Sequence, residues 1–111
     1  MPTFSSFDVV SVPFPYTGRP VRERRPALVV SQPEHERATG LLWVVMITAA
    51  ENRPWPGDVR LADPRRAGLS IPSVVRPSKI ATIEATQASR VGSVAPAERR
   101  AVQTAIRAIL G

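Results

Sequence analysis

The sequence predicts a mainly β domain, a small barrel or curled antiparallel sheet with one helix packed on it. Three observations carry that prediction. Short runs rich in Val, Ile and Leu recur along most of the 111 residues, parted by Pro-, Gly- and Arg-rich turns. The apolar period becomes helical only beyond Pro96. A length of 111 residues, with 43% apolar and 22% charged content, fits one domain over residues 1–111 with a single modest core.

Taken in order, residues 7–14 (Phe7-Asp8-Val9-Val10-Ser11-Val12-Pro13-Phe14) read as a first strand. Pro13 and Pro15 suggest a sheet edge or a bend there. Residues 16–20 carry turn chemistry and lead into a basic loop that runs to Arg24. Residues 26–31 form the second strand, with Ala27, Leu28, Val29 and Val30 as core. Residues 32–40 are polar and read as a loop that holds His35, the one histidine. Residues 41–48 are the longest apolar run, a buried central strand that ends on the Thr48 hydroxyl; Trp43 within it is expected in the core or a dimer interface.

Residues 49–57 form a loop with Asn52-Arg53-Pro54-Trp55-Pro56-Gly57 at its tip. Residues 58–61 alternate as a short half-exposed strand, and residues 63–68 are a basic turn. Residues 69–75 and 79–84 are two further strands, split by Arg76-Pro77-Ser78, and residues 88–94 are a last one. The helix places Val102, Ala105, Ile106, Ile109 and Leu110 on one side, with Arg99, Arg100, Gln103 and Arg107 on the other. Pro96 suits its first turn and Glu98 the positive end of its dipole, whereas Ala95 is a poor cap.

Charge narrows the partners. Fifteen basic residues against nine acidic give +6, and every basic residue but Lys79 is an arginine. Such a surface favours a polyanion, nucleic acid first, or an acidic protein. The densest cluster, Arg22-Glu23-Arg24-Arg25, runs straight into Pro26 and the second strand. An arginine fixed at a strand entrance offers a planar fork of donors to a phosphate. A solvated charge run capping the strand is the plainer account of the same residues. No apolar run approaches the ~20 residues of a membrane span, and the N-terminus lacks the pattern of a signal peptide. The absence of cysteine excludes disulfides and thiolate metal sites and fits a cytoplasmic location. Glu34, His35 and Glu36 are adjacent and make poor convergent metal ligands. No nucleotide-cofactor or zinc motif is present.

Four blocks, in order, resemble the MazF/PemK toxins. They are residues 7–15, the segment Arg24-Arg25-Pro26-Ala27-Leu28-Val29-Val30-Ser31, the strand ending in Ile47-Thr48, and residues 72–83 with the closing residues 92–111. The resemblance covers nearly the whole chain. It implies an SH3-like β-barrel of the CcdB/PemK type, a homodimer, and a sequence-specific endoribonuclease acting on single-stranded RNA without metal or cofactor. The ribose 2′-hydroxyl would attack the adjacent phosphate, leaving a cyclic phosphate and a 5′-hydroxyl. The implied partner is an antitoxin, acidic and partly disordered, with DNA binding possible for the pair.

On the same resemblance, Arg25 matches the family arginine and stabilises transition-state charge, and Thr48 matches the family Ser/Thr. Taken alone, Thr48 better fits a strand-end hydroxyl bonded to backbone, and the whole-chain resemblance brings the two readings level. The expected RNA-binding set is Arg19, Arg22, Arg24, Arg53, Trp55, Arg76, Ser78 and Lys79, with Trp55 as a stacking platform or, alternatively, a loop anchor. Arg19 and Pro20 stand where some members carry His or Glu, and Ser78 stands where one branch has Asp. The proton-transfer groups are therefore not identified, and Glu23 among three arginines is a weak base. Two other functions compete: a CcdB-like gyrase-binding toxin, disfavoured by a last helix without aromatics, and a catalytically inactive SH3-like binding module.

Overall fold

A computed structural model of the chain describes residues 3–14 and 23–111. Its elements are β1 (Asp8–Phe14), β2 (Glu23–Val29), α1 (Pro33–Thr39), β3 (Leu41–Ala49), β4 (Val59–Arg60), β5 (Ser73–Glu84), a 3-10 turn (Ala85–Gln87), β6 (Ser89–Ser93) and α2 (Pro96–Leu110). The strands form one antiparallel sheet in the order β4-β5-β3-β2-β1-β6. This is the mainly β, curled sheet with a terminal helix that the sequence predicts.

The central strands are buried on both faces, which is why they read as continuous apolar runs. Val10, Val12, Ala27, Val29, Leu42, Val44 and Met46 form one core with Phe4 and Ile83. Val9, Leu28, Val45, Ile47 and Val75 form the other, capped by Val102 of α2 and by Phe7, Leu61 and Ala67. β1 is not an edge: β2 and β6 pair with its two sides. The prolyl nitrogen, which cannot donate, is accommodated because the β6 ladder spans Asp8 to Ser11 and Pro13 pairs with Arg24 of β2 alone.

The segment expected as a loop, residues 32–40, carries the helix α1 (Pro33–Thr39). Pro33 presets its first turn, and Gly40 at φ 72° closes it by donating to the Glu36 carbonyl. Glu36 is buried and accepts from the Thr3 and Phe4 amides at 2.8 and 3.0 Å, so a glutamate of α1 ties the N-terminal segment to that helix. His35 lies on this helix, edge-on to Trp43 at 5.8 Å. Trp43 itself is 44% exposed, so the core of this chain does not contain it.

The late strands are one element. Arg76 pairs with Met46 but Ile80 with the next residue, Val45, so residues 77–79 bulge out of an otherwise continuous β5. Residues 69–72, expected as strand, lie outside it. In α2, Val102 is buried and Ile106 packs against the second core, but Ile109 and Leu110 are exposed. Ala95 caps poorly, and Glu98 compensates by accepting from the Ala95 amide at 3.1 Å and from the Ala62 amide.

Glu36→Ala would strand two backbone donors, a loss of about 2 kcal/mol. Urea denaturation should show it as a lower midpoint at unchanged slope.

Candidate functional site

The ladder between β2 and β3 pairs Val29 with Val44, Leu28 with Val45 and Ala27 with Met46. Continued in the same register, it sets Pro26 opposite Ile47 and Arg25 opposite Thr48. All four line one solvent-open cavity of about 300 Å³, with Ala49, Asn52, residues 68–71 and Ser73 completing its wall. Two sequence-predicted residues, 23 positions apart in the chain, are thereby brought to one place.

The placement follows from where the core ends. Ala27 is fully buried while Arg25 is half-buried, so the guanidinium emerges where apolar packing stops. Arg25 meets Glu23 at 3.1 Å, with the two side chains 40% and 50% exposed. An ion pair so open to water contributes ~0–1 kcal/mol. Opposite, Thr48 Oγ1 accepts from Asn52 Nδ2 at 2.7 Å. One wall is set by backbone packing: a Cβ on Gly68, at φ 79°, would lie 2.3 Å from the Val91 carbonyl oxygen.

Arg76 occupies different ground. Its guanidinium is buried, donates at 3.1 Å to both carboxylate oxygens of Asp58 and at 2.9 Å to the Arg53 carbonyl, and lies 4.4 Å from the centre of the Trp55 ring. With its fork and one face occupied, Arg76 holds the 49–57 loop to β5. Trp55 is thus a loop anchor on one side and remains 40% exposed. The Arg53 side chain is exposed.

The rest of the expected set is scattered. Arg24 donates to Ser11 Oγ, the Ser11 carbonyl and the Gln87 carbonyl, which staples β1, β2 and the 3-10 turn. Ser78 is exposed in the bulge and faces clefts against α2, and its neighbour Lys79 is half-buried. Arg19 and Arg22 fall outside the described residues. Among the described residues, no three His, Asp or Glu side chains gather as metal ligands. Asn52, Ser70 and Ser73 in the cavity wall were not legible as site residues: Asn52 looked like turn chemistry and Ser70 like strand.

A curled six-stranded antiparallel sheet closed by a C-terminal helix, with this strand-end cavity, defines a MazF-like toxin fold. The chain belongs to the PemK-like, MazF-like toxins of type II toxin-antitoxin systems, whose family model matches residues 5–110. Its fold is similar to that of MazF from Deinococcus radiodurans, with a TM-score of 0.76 and 23% identity over 96% of each chain. It is likewise similar to MazE-MazF from the same organism, with a TM-score of 0.74 and 24% identity over 96% of this chain and 94% of that one. A mycobacterial endoribonuclease in complex with its cognate antitoxin gives a TM-score of 0.73 and 23% identity over 100% of this chain and 96% of that one. No curated protein matches the chain by sequence at a significant level.

The two ion pairs should differ sharply on truncation. Asp58→Ala leaves the Arg76 guanidinium buried without its carboxylate and should cost about 3 kcal/mol in urea denaturation, whereas Glu23→Ala should cost at most about 1 kcal/mol.

Proposed function

We propose that this chain is a metal-independent endoribonuclease toxin that cleaves single-stranded RNA, with Arg25 and Thr48 acting on the scissile phosphate. The observation that supports this reading is their meeting in one open cavity at the ends of β2 and β3. The family supplies the class, and the cavity supplies two groups of the right kind.

The chemistry asks little of the protein, because the nucleophile belongs to the substrate. The ribose 2′-oxygen forms a bond to phosphorus as the bond from phosphorus to the 5′-oxygen breaks. The 2′-hydroxyl proton passes to water, and the leaving 5′-oxygen takes a proton in return. A 2′,3′-cyclic phosphate and a 5′-hydroxyl result. The barrier lies in the extra negative charge on the phosphoryl oxygens, where Arg25 supplies a fixed positive charge and Thr48 a hydroxyl donor. Arg76 donates from Nε and Nη2 to Asp58 and the Arg53 carbonyl, which holds the loop beside the cavity.

The net charge of +6 draws RNA to this surface. Arg19, Arg22 and Arg53 offer charge to the RNA backbone and Trp55 offers its outer face to a base, whereas Ser78 lines the cleft against α2 rather than the Arg25 cavity. Arg24, bound to β1 and the 3-10 turn, contributes charge rather than a direct contact. Translation is the process such cleavage halts, which places the activity in the cytoplasm. No described helix is long and apolar enough to cross a membrane.

Two protein partners belong to the same reading. Ile80, Ile109 and Leu110 are exposed and line a cleft between β5 and α2, a surface suited to a second copy. An acidic, partly disordered antitoxin suits the basic face around Arg25.

Purified protein incubated with a long single-stranded RNA in EDTA should give discrete cuts with cyclic or 3′-phosphate ends. Arg25→Ala should lower the rate about 100-fold and Thr48→Val about tenfold. Intact RNA from folded, antitoxin-free protein would overturn the proposal. Sedimentation should show a dimer that Ile109→Asp converts to monomer; a monomeric wild type would remove the second copy from this reading.

A further inference from the structure

We infer that Asn52 is a positioning residue for the reaction: its side-chain amide turns the Thr48 hydroxyl proton toward the substrate phosphate, and the buried Arg76 guanidinium keeps it in place. The inference rests on the role given to Thr48 above.

A threonine hydroxyl has one proton to give and two lone pairs to receive with. Asn52 Nδ2 donates to Thr48 Oγ1 at 2.7 Å, which occupies a lone pair and forbids the hydroxyl proton from pointing back at that nitrogen. Among the described residues the Thr48 hydroxyl makes no other hydrogen bond, so its proton is left for whatever enters the cavity that both residues line. An alanine at position 52 would leave the hydroxyl rotor unconstrained, and part of its time would go to water or to a backbone carbonyl. A donor aimed before substrate arrives lowers the reorganisation that the transition state requires.

Asn52 is exposed, and an exposed loop residue positions nothing unless its backbone is fixed. Here it is fixed on both sides. Ala50 donates to the Pro72 carbonyl at 2.9 Å, and the Asn52 amide donates to the Ala49 carbonyl at 3.1 Å, forming a tight turn directly after β3. On the other side, the Arg53 carbonyl accepts from Arg76 at 2.9 Å. Arg76 is in turn locked by its two bonds to Asp58 and its contact with Trp55. The path from Asp58 to the Thr48 hydroxyl therefore runs through three non-covalent contacts: Asp58 to Arg76 inside β5, Arg76 to the Arg53 carbonyl, and Asn52 to Thr48.

The test is steady-state cleavage of a short RNA bearing one mapped cut site, using wild type, Thr48→Val, Asn52→Ala, Asn52→Asp and the Thr48→Val/Asn52→Ala double variant. Asn52→Ala should lower kcat about tenfold with KM changed by less than about twofold, at an unchanged denaturation midpoint. In the Thr48→Val background the same change should have no further effect on kcat. Asn52→Asp should lower kcat at least as far, because a carboxylate accepts the hydroxyl proton that the amide leaves free. Arg76→Lys, which loses the fork, should reproduce the kcat loss of Asn52→Ala. Wild-type kcat in Asn52→Asp would mean that Thr48 donates to position 52, and the inference would fail. Losses that multiply in the double variant would overturn it too. If Thr48→Val alone cleaves like wild type, the inference falls together with the role of Thr48; if only the Asn52 variants are silent, it falls by itself.

Discussion

Burial of the central strands on both faces is the constraint on which the rest of this molecule depends. β3 pairs with β2 on one side and β5 on the other, and its side chains from Val44 to Ile47 enter two different cores in turn. A strand in that position has no solvent face on which to carry charge. Polar chemistry is therefore pushed to strand ends, where the hydrophobic layers run out. The neighbouring β2 shows the transition within a few residues: Leu28 and Ala27 are fully buried, Pro26 is half-buried, and Arg25 reaches the cavity. Across from it β3 passes from Ile47, buried, to Thr48, half-buried. The candidate site is the margin of the core rather than a pocket cut into it.

Such a margin has a structural cost, since strand ends fray, and the protein meets it with buried charge. The Arg76 guanidinium and the Asp58 carboxylate are 9% and 12% exposed, little enough to make the pair rigid. Glu36 and Glu98 do the same work elsewhere by taking backbone amides at the two ends of the fold, one for the N-terminal segment and one for the start of α2. These groups direct hydrogen bonds inward, to backbone or to each other. At the cavity, the Arg25–Glu23 pair is open to water, with the two side chains 40% and 50% exposed. Two populations of charged residue thus coexist in a chain of high arginine content, and burial separates them.

How much of this was legible in the sequence follows from the same physics. The two-sided strands announce themselves as unbroken apolar runs, so β1, β2 and β3 were readable, as was the periodic start of α2. α1 was not, because its seven residues are nearly all polar and its tie to the fold is a buried glutamate, Glu36, that no periodicity detects. β5 read as two strands for a definite reason. Val75 and Ile83 are both odd-numbered, yet they enter opposite cores, because the bulge at residues 77–79 inverts the alternation between them. Arg25 and Thr48 were accessible through a family pattern and through the logic of strand ends. Asn52 was not, since its significance is a single contact created by folding. Nor did Arg76 reveal its role: in sequence it is one more exposed-looking arginine, and only Asp58, Arg53 and Trp55 around it show that it is internal.

The surroundings of the two tryptophans carry a consequence of another kind. Trp43 meets an imidazole edge on α1, and Trp55 lies against a guanidinium in the loop that follows β3. Indole emission responds to the polarity and charge next to the ring, so the two residues give the molecule separate optical signatures. One reads the helix that ties down the N-terminal segment, and the other reads the loop that borders the cavity. Replacing either with phenylalanine isolates the other, and the motions of these two regions become distinguishable in a protein carrying no attached label.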